Sequence, residues 1–158
     1  MQTDFNPVVE TQMKIRKPAS EVFRAITDPA ITTKFWFTKS SGKLETGKTL
    51  TWEWEMYGVS AEVLVKEIIN NEMIIIEWGV PVTTVEFIFT PLKDNATYVV
   101  IKNYGFNKTG DELIEVIKDS TGGFTTVLDG MKAYLEHNLQ LNLIEDKFPK
   151  EITRHGEK

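Results

Sequence analysis

The feature that most constrains the fold is a stripe of apolar residues along the last long segment, from residue 109 to about residue 143. Successive members of the stripe are three or four positions apart, except for one double step across Ser120 and Thr121. This spacing places them on one face of an α-helix. The sequence therefore predicts a long amphipathic helix whose apolar face must cover another part of the chain. The stripe consists of Leu113, Ile117, Phe124, Leu128, Met131, Leu135 and Leu139.

Gly122 and Gly123 lie inside this predicted helix, although a glycine pair commonly ends one. The apolar spacing on both sides of the pair fits the same helical repeat, so we predict one continuous helix that is kinked or loosened at the glycines. A capping box formed by Thr109 and Glu112 is expected at its start. The pair is interpreted either as a bend that follows a curved surface or as a hinge for a lid over a cavity.

The residues before the helix predict an antiparallel sheet interrupted early by two short helices. The first strand is expected at residues 8–16, followed by helices at 18–27 and from 29 to about 35, each with a proline at its start. Short turns separate the later strands, which is typical of an antiparallel meander. Five further strands are predicted at residues 49–56, 60–69, 72–78, 82–90 and 96–104.

Length, charge and cysteine content limit the class of protein. The 158-residue chain has the length of one domain, which we expect at residues 1–145, followed by a charged C-terminal tail at 146–158. The absence of cysteine excludes disulfides and cysteine–zinc sites and fits a cytoplasmic location. A net charge of −5 without a basic run argues against a nucleic-acid partner. No apolar run approaches the ~20 residues of a membrane span.

Titratable residues show no pattern typical of catalysis or metal binding. His137 and His155 have no second histidine at a ligand spacing. Glu77 and Glu86 lie between apolar strand residues, so their carboxylates are expected on the outer face of the sheet. The sequence therefore predicts no catalytic residue, no metal and no cofactor.

Trp52 and Trp54 alternate with glutamates in one strand and must share a face. If both pointed outward, they would form an exposed apolar patch, which monomers rarely tolerate. We therefore expect them to point inward or into a dimer contact.

Four stretches carry a family resemblance through their order and spacing: residues 15–23, residues 26–29 followed by Phe35 and Trp36, Trp78 with Gly79, and residues 123–135. They resemble the START-like, or SRPBCC, superfamily and its α+β helix-grip fold. In that fold a curved antiparallel sheet of about six to seven strands wraps around a long C-terminal helix, with two short helices after strand one. Within it, the sequence resembles the branch related to the C-terminal domain of the activator of heat-shock-protein-ninety ATPase.

The resemblance implies a cavity between sheet and helix, where superfamily members bind lipids, sterols, hormones or polyketides. We expect non-catalytic binding of a small apolar or amphipathic ligand by a monomer or dimer. One alternative is a protein-interaction role with a chaperone partner, as in activators of the heat-shock-protein-ninety ATPase; another is a cyclase- or hydrolase-like enzyme. The candidate ligand-binding residues are Trp36, Trp54, Trp78, Phe106, Phe124, Leu128 and Met131.

Overall fold

A seven-stranded antiparallel sheet and one long helix dominate the computed structural model, which describes residues 6–152. The strands lie in the order β1-β7-β6-β5-β4-β3-β2 across the sheet. The strands are β1 (Val9–Ile15), β2 (Lys39–Ser40), β3 (Thr49–Trp54), β4 (Val59–Ile69), β5 (Met73–Trp78), β6 (Thr83–Leu92) and β7 (Ala96–Tyr104). The helices are α1 (Ala19–Thr27), α2 (Pro29–Thr32), α3 (Gly110–His137) and α4 (Leu143–Lys147).

This arrangement confirms the predicted α+β class, the number of strands and the two short helices after strand one. The strand that the sequence did not indicate is β2, which has only two residues and pairs with β3 at the edge of the sheet. The predicted end of β6 at residue 90 is wrong, because the strand continues through Pro91 to Leu92. Pairing with β5 ends at Ile88, so Pro91 lies where only β7 is a neighbour and its missing N–H is tolerated.

The two short helices form as their capping residues indicate. Pro18 precedes α1 with a φ of −65°, and the Asp28 side chain accepts a hydrogen bond of 3.0 Å from the Ala30 N–H at the start of α2. The buried Thr32 hydroxyl donates to the Ala25 carbonyl oxygen at 2.6 Å. This bond ties α2 to α1, so that the pair closes one end of the core.

Helix α3 is continuous through Gly122 and Gly123, as predicted. Its start differs from the prediction, because Thr109 is the N-cap residue but makes no side-chain capping bond. Gly110 has a φ of 56°, and this left-handed conformation departs from the geometry of a capping box. The predicted end near residue 143 is also wrong: α3 stops at His137.

Asn138 ends α3 by adopting the left-handed conformation, with a φ of 54°. Its N–H then donates to the Ala133 and Tyr134 carbonyl oxygens, which is a common way to terminate a helix. Leu139 falls outside α3 as a consequence and is 52% exposed, although the sequence placed it in the apolar stripe. Within the described residues, no helix is both long and apolar enough to cross a membrane.

The C-terminal half of α3 packs closely against the rest of the core. Leu128 and Met131 are fully buried, and a Cβ atom on Gly130 would lie 3.1 Å from the Phe35 Cβ. A larger residue here would require the segment after α2 to shift by a few tenths of an ångström, so Gly130 favours this close approach of α3. The helix α4 follows, and the boundary expected between domain and tail, at residue 145, lies inside it. His155 lies outside the described residues.

Glu136 joins the end of α3 to the end of β1. Its carboxylate accepts hydrogen bonds from the Arg16 backbone N–H and from Lys132 Nζ, both at 2.7 Å, and its side chain is only 8% exposed. Burial raises the pKa of Glu136, but the hydrogen bonds and charges of Lys132 and Arg16 outweigh it, so the pKa is lowered from 4.5. The ionised form therefore stabilises the fold above pH 4.5, and this stabilisation is lost as the pH falls through the lowered pKa.

We expect Glu136→Gln to lower the free energy of unfolding at pH 7 by about 1–3 kcal/mol, because it removes charge-assisted hydrogen bonds from a buried site. The difference from the wild type should narrow as the pH falls below 4.5, measured by urea denaturation across pH 3–7. Glu115→Gln is the control, since Glu115 pairs with Lys118 on the exposed surface and should change stability by less than about 0.5 kcal/mol. An effect of Glu136→Gln that is independent of pH would contradict the assignment.

Candidate functional site

A cavity of about 420 Å³ lies between the sheet and the N-terminal half of α3. The sheet contributes residues at the end of β5, the start of β6 and the end of β7, and the loops after β5 and β7 complete the wall. Its volume is in the range of about 300–1,000 Å³ that is typical of small-molecule sites. The α3 residues on its wall are Val116, Asp119, Ser120, Gly123, Phe124 and Val127.

Four of the seven candidate ligand-binding residues are brought together in the wall of this cavity: Trp36, Trp78, Phe106 and Phe124. The other three do not line it. Leu128 and Met131 lie on the same face of α3 as Phe124, but further along, where the helix meets the core directly and both are completely buried. Trp54 is partly buried and packs 6.2 Å from Phe37 and from Trp78, measured between ring centroids.

An aromatic cluster around Trp36 forms the inner end of the cavity. The Trp36 ring lies 5.0 Å from the Trp52 ring and 5.8 and 5.9 Å from the rings of Trp78 and Phe124. All three contacts are edge-to-face, which is a geometry that aromatic quadrupoles favour. Trp52 is 1% exposed, and its predicted inward orientation is confirmed.

A polar cluster that the sequence analysis missed also lies in the wall, beside Trp78, whose register partner on β6 is Thr83. Asn103 Nδ2 donates to Thr83 Oγ1 at 3.0 Å and to the Thr84 carbonyl oxygen at 2.8 Å. Ser120 Oγ donates to Asn103 Oδ1 at 2.7 Å, which links β7 to α3. Asn103 is 4% exposed. The signal was present in the sequence, because Asn103 follows Val99 and Ile101 at alternate positions and therefore shares their inward face.

The charged groups of the cavity lie toward solvent. The carboxylate among the lining residues belongs to Asp119, which is exposed, and Lys108 is partly exposed. Among residues 6–152, no group of three or more histidine, aspartate and glutamate side chains is arranged to hold a metal ion. The cavity wall is thus mainly apolar, with one buried hydrogen-bonding cluster.

Glu86 lies on the outer face of the sheet, as predicted, because Val85 and Phe87 on either side of it are completely buried. Its carboxylate accepts a hydrogen bond from the Tyr104 hydroxyl. That hydrogen bond, with smaller effects from burial and from the charge of Glu86, raises the pKa of Tyr104 to about 12. This pair supports the sheet from outside and does not contact the cavity.

Helix α4 covers one side of the cavity through Ile144. The Tyr57 hydroxyl lies 2.8 Å from the Phe148 carbonyl oxygen and 3.2 Å from that of Ile144. Its single proton makes the shorter bond, to Phe148, which holds the C-terminal end of α4. Burial, followed by the charges of Glu145 and Asp146, raises the pKa of Tyr57 above 10.0. The hydroxyl therefore keeps its proton, and its capacity to donate, across the neutral range.

The sheet, the helix it packs against and the cavity between them define a class, the START-like or SRPBCC fold. Within this class, the chain belongs to the family of Activator of Hsp90 ATPase homolog 1-like proteins, whose model matches residues 16–136. The resemblance inferred from the sequence is therefore confirmed. A comparison with curated proteins found no match.

Several solved structures share the fold. The protein SSP2350 from Staphylococcus saprophyticus has 27% sequence identity and a TM-score of 0.76, covering 85% of this chain and 96% of its own. The Aha1 dimer from Colwellia psychrerythraea, a solution structure, has 17% identity and a TM-score of 0.71, with coverages of 83% and 97%. CalU16 from Micromonospora echinospora has 15% identity and a TM-score of 0.67, with coverages of 89% and 81%. The last two show the shared fold alone.

We expect Tyr57→Phe to loosen α4 without unfolding the domain, because it removes the hydrogen bond to the Phe148 carbonyl oxygen. Amide hydrogen exchange at residues 143–148 should accelerate by about threefold to tenfold, as expected for one hydrogen bond. Tyr98→Phe is the control, since Tyr98 is 39% exposed on the outer side of β7. Equal exchange in both variants would show that Tyr57 does not hold α4.

Proposed function

We propose that the protein binds a small apolar or amphipathic molecule, without catalysis, in the cavity between the sheet and α3. The observation that carries the proposal is the mainly apolar cavity of about 420 Å³, walled by Trp36, Trp78, Phe106 and Phe124. Burying apolar ligand surface against such a wall is favourable by roughly 25 cal/mol per Å². The polar cluster around Asn103 adds a few hydrogen-bonding groups, which commonly orient a ligand in an otherwise apolar site.

The glycine pair in α3 allows a direct test. A Cβ atom on Gly123 would meet no other atom within 4 Å, and Gly123 lines the cavity, so a leucine there would extend into the cavity. Gly122 does not line the cavity, and a Cβ atom on it would make an ordinary contact of 3.6 Å with Lys147 Nζ. Both substitutions replace a helical glycine and should raise helix stability by somewhat under about 1 kcal/mol.

We expect Gly123→Leu to abolish, or weaken at least about tenfold, the binding of a neutral apolar probe such as N-phenyl-1-naphthylamine or decanol, while Gly122→Ala binds as the wild type does. Binding is followed by dye fluorescence and by quenching of the tryptophan fluorescence, with decanol as the competitor. The thermal midpoints of both variants should match or exceed that of the wild type. Undiminished binding by Gly123→Leu would place the probe elsewhere, and no binding by the wild type would contradict the proposal.

Family membership favours a second function, the activation of a heat-shock-protein-ninety type ATPase through protein contact. This function predicts that the chaperone binds to the outer surface of the protein. Dimerisation is a further expectation, because the structure of one relative is that of a dimer. It does not need an open cavity, so the cavity supports the binding proposal over this one. Stimulation of a purified chaperone ATPase by the chain, equal in the wild type and in Gly123→Leu, would support the second function.

An enzyme of the cyclase or hydrolase kind has less support. Asn103 and Ser120 bond to each other, and Asp119 is exposed. A general acid or base would need a perturbed carboxylate or histidine inside the cavity. The arrangement therefore favours binding over catalysis.

A further inference from the structure

The carboxamide of Asn103 fixes the direction of every hydrogen bond in the polar cluster. The Thr84 carbonyl oxygen can only accept, so the Asn103 atom 2.8 Å from it must be the nitrogen, Nδ2. The second hydrogen of Nδ2 is directed to Thr83 Oγ1 at 3.0 Å, and that oxygen acts as an acceptor. The orientation of the amide is thus determined by its partners.

The hydroxyl groups of Ser120 and Thr83 consequently differ in hydrogen bonding: Ser120 donates to Asn103 and Thr83 accepts from it. Asn103 Oδ1 can only accept, so the Ser120 hydroxyl must donate its single proton in the 2.7 Å bond to it. The lone pairs of the Ser120 oxygen remain available to accept another hydrogen bond. Thr83 accepts from Asn103, so its own proton remains, and no hydrogen bond within the described chain uses it. Since both residues line the cavity, they offer a ligand one donor, at Thr83, and one acceptor, at Ser120.

We propose that the ligand carries a neutral hydroxyl group on a flat apolar body, and that the ligand hydroxyl accepts a hydrogen bond from the Thr83 hydroxyl and donates one to the Ser120 oxygen. A phenol or alcohol is able both to accept and to donate, as the two hydroxyls require. The aromatic rings of Trp36 and Trp78 match a flat body. This inference rests on the binding function proposed above and names the chemical class of its ligand.

Charged head groups fit the cluster less well. A carboxylate has no proton for the Ser120 oxygen, and an ammonium group has no lone pair for the Thr83 proton. Either charge would also lose its hydration against a mainly apolar wall. The competing interpretation is an anionic ligand held by Lys108 at the edge of the cavity, and the experiment below separates the two.

The test compares four probes that share one ring system: 2-naphthol, 2-methoxynaphthalene, naphthalene and 2-naphthoate. At pH 7, the first donates and accepts, the second only accepts, the third does neither, and the fourth is an anion. Dissociation constants for the full chain are measured by equilibrium dialysis. We expect 2-naphthol to bind about tenfold more tightly than each of the other three, because each of them leaves the Thr83 donor, the Ser120 acceptor or both without a partner in the partly buried cluster.

Two variants assign the preference to the cluster. Ser120→Ala and Thr83→Val should each reduce the affinity for 2-naphthol to about that for 2-methoxynaphthalene and leave the affinity for naphthalene unchanged. Thr121→Ala is the control, because the Thr121 hydroxyl donates to the Ile117 carbonyl oxygen on the exposed side of α3. Urea denaturation checks that each variant is folded. If one variant is unfolded, the affinities of the wild type for the four probes still show whether it prefers the hydroxyl group.

The outcomes distinguish this inference from the function on which it rests. If the wild type bound all four probes with equal affinity and Gly123→Leu bound none of them, the proposed hydroxyl preference would be overturned. The proposal of apolar binding in the cavity would stand. Tightest binding of 2-naphthoate, reduced by Lys108→Gln, would overturn the hydroxyl preference in favour of an anionic ligand. Binding of none of the four would overturn the proposed function as well.

Discussion

The burial of Trp36 at the junction of sheet and helix is the interaction on which the rest of the structure depends. Its ring touches Phe37 on its own segment, Trp52 and Trp78 from the sheet and Phe124 from α3, with centroids 5.0–5.9 Å apart. One side chain thus fixes the distance between the two layers. Because aromatic rings are large and stiff, the contact between Trp36 and Phe124 also sets the distance between the sheet and the N-terminal half of α3.

The cavity exists because the two halves of α3 meet the sheet differently. The second half lies close, since Gly130 allows contact with Phe35 and Glu136 binds the end of β1. The first half carries small residues, Ser120 and Gly123, on the side that faces the sheet. A continuous helix held at one end and lined with small side chains at the other cannot fill the space beneath it, so a void remains beside the aromatic cluster.

The sequence predicts the large elements well because they depend on periodicity, which is local information. The strand bounds at Ala96–Tyr104 and the unbroken α3 are examples. It fails where a single backbone conformation decides the outcome, as at Gly110 and Asn138, whose positive φ values alter the start and end of α3. Periodicity also does not separate core from cavity wall. Leu128 and Phe124 share one helix face, and only tertiary packing places Phe124 in the wall and Leu128 in the core.

Asn103 shows why the polar part of the cavity is more informative than the apolar part. Aromatic and aliphatic walls accept many ligands, whereas a buried carboxamide is costly unless all its hydrogen-bonding groups are satisfied. Here they are satisfied by Thr83, Thr84 and Ser120, so the amide itself needs nothing from a ligand. The Thr83 and Ser120 hydroxyls that satisfy it keep one donor and one acceptor, and both residues line the mainly apolar cavity. A ligand that forms hydrogen bonds with both hydroxyls should therefore bind more tightly than a purely apolar ligand.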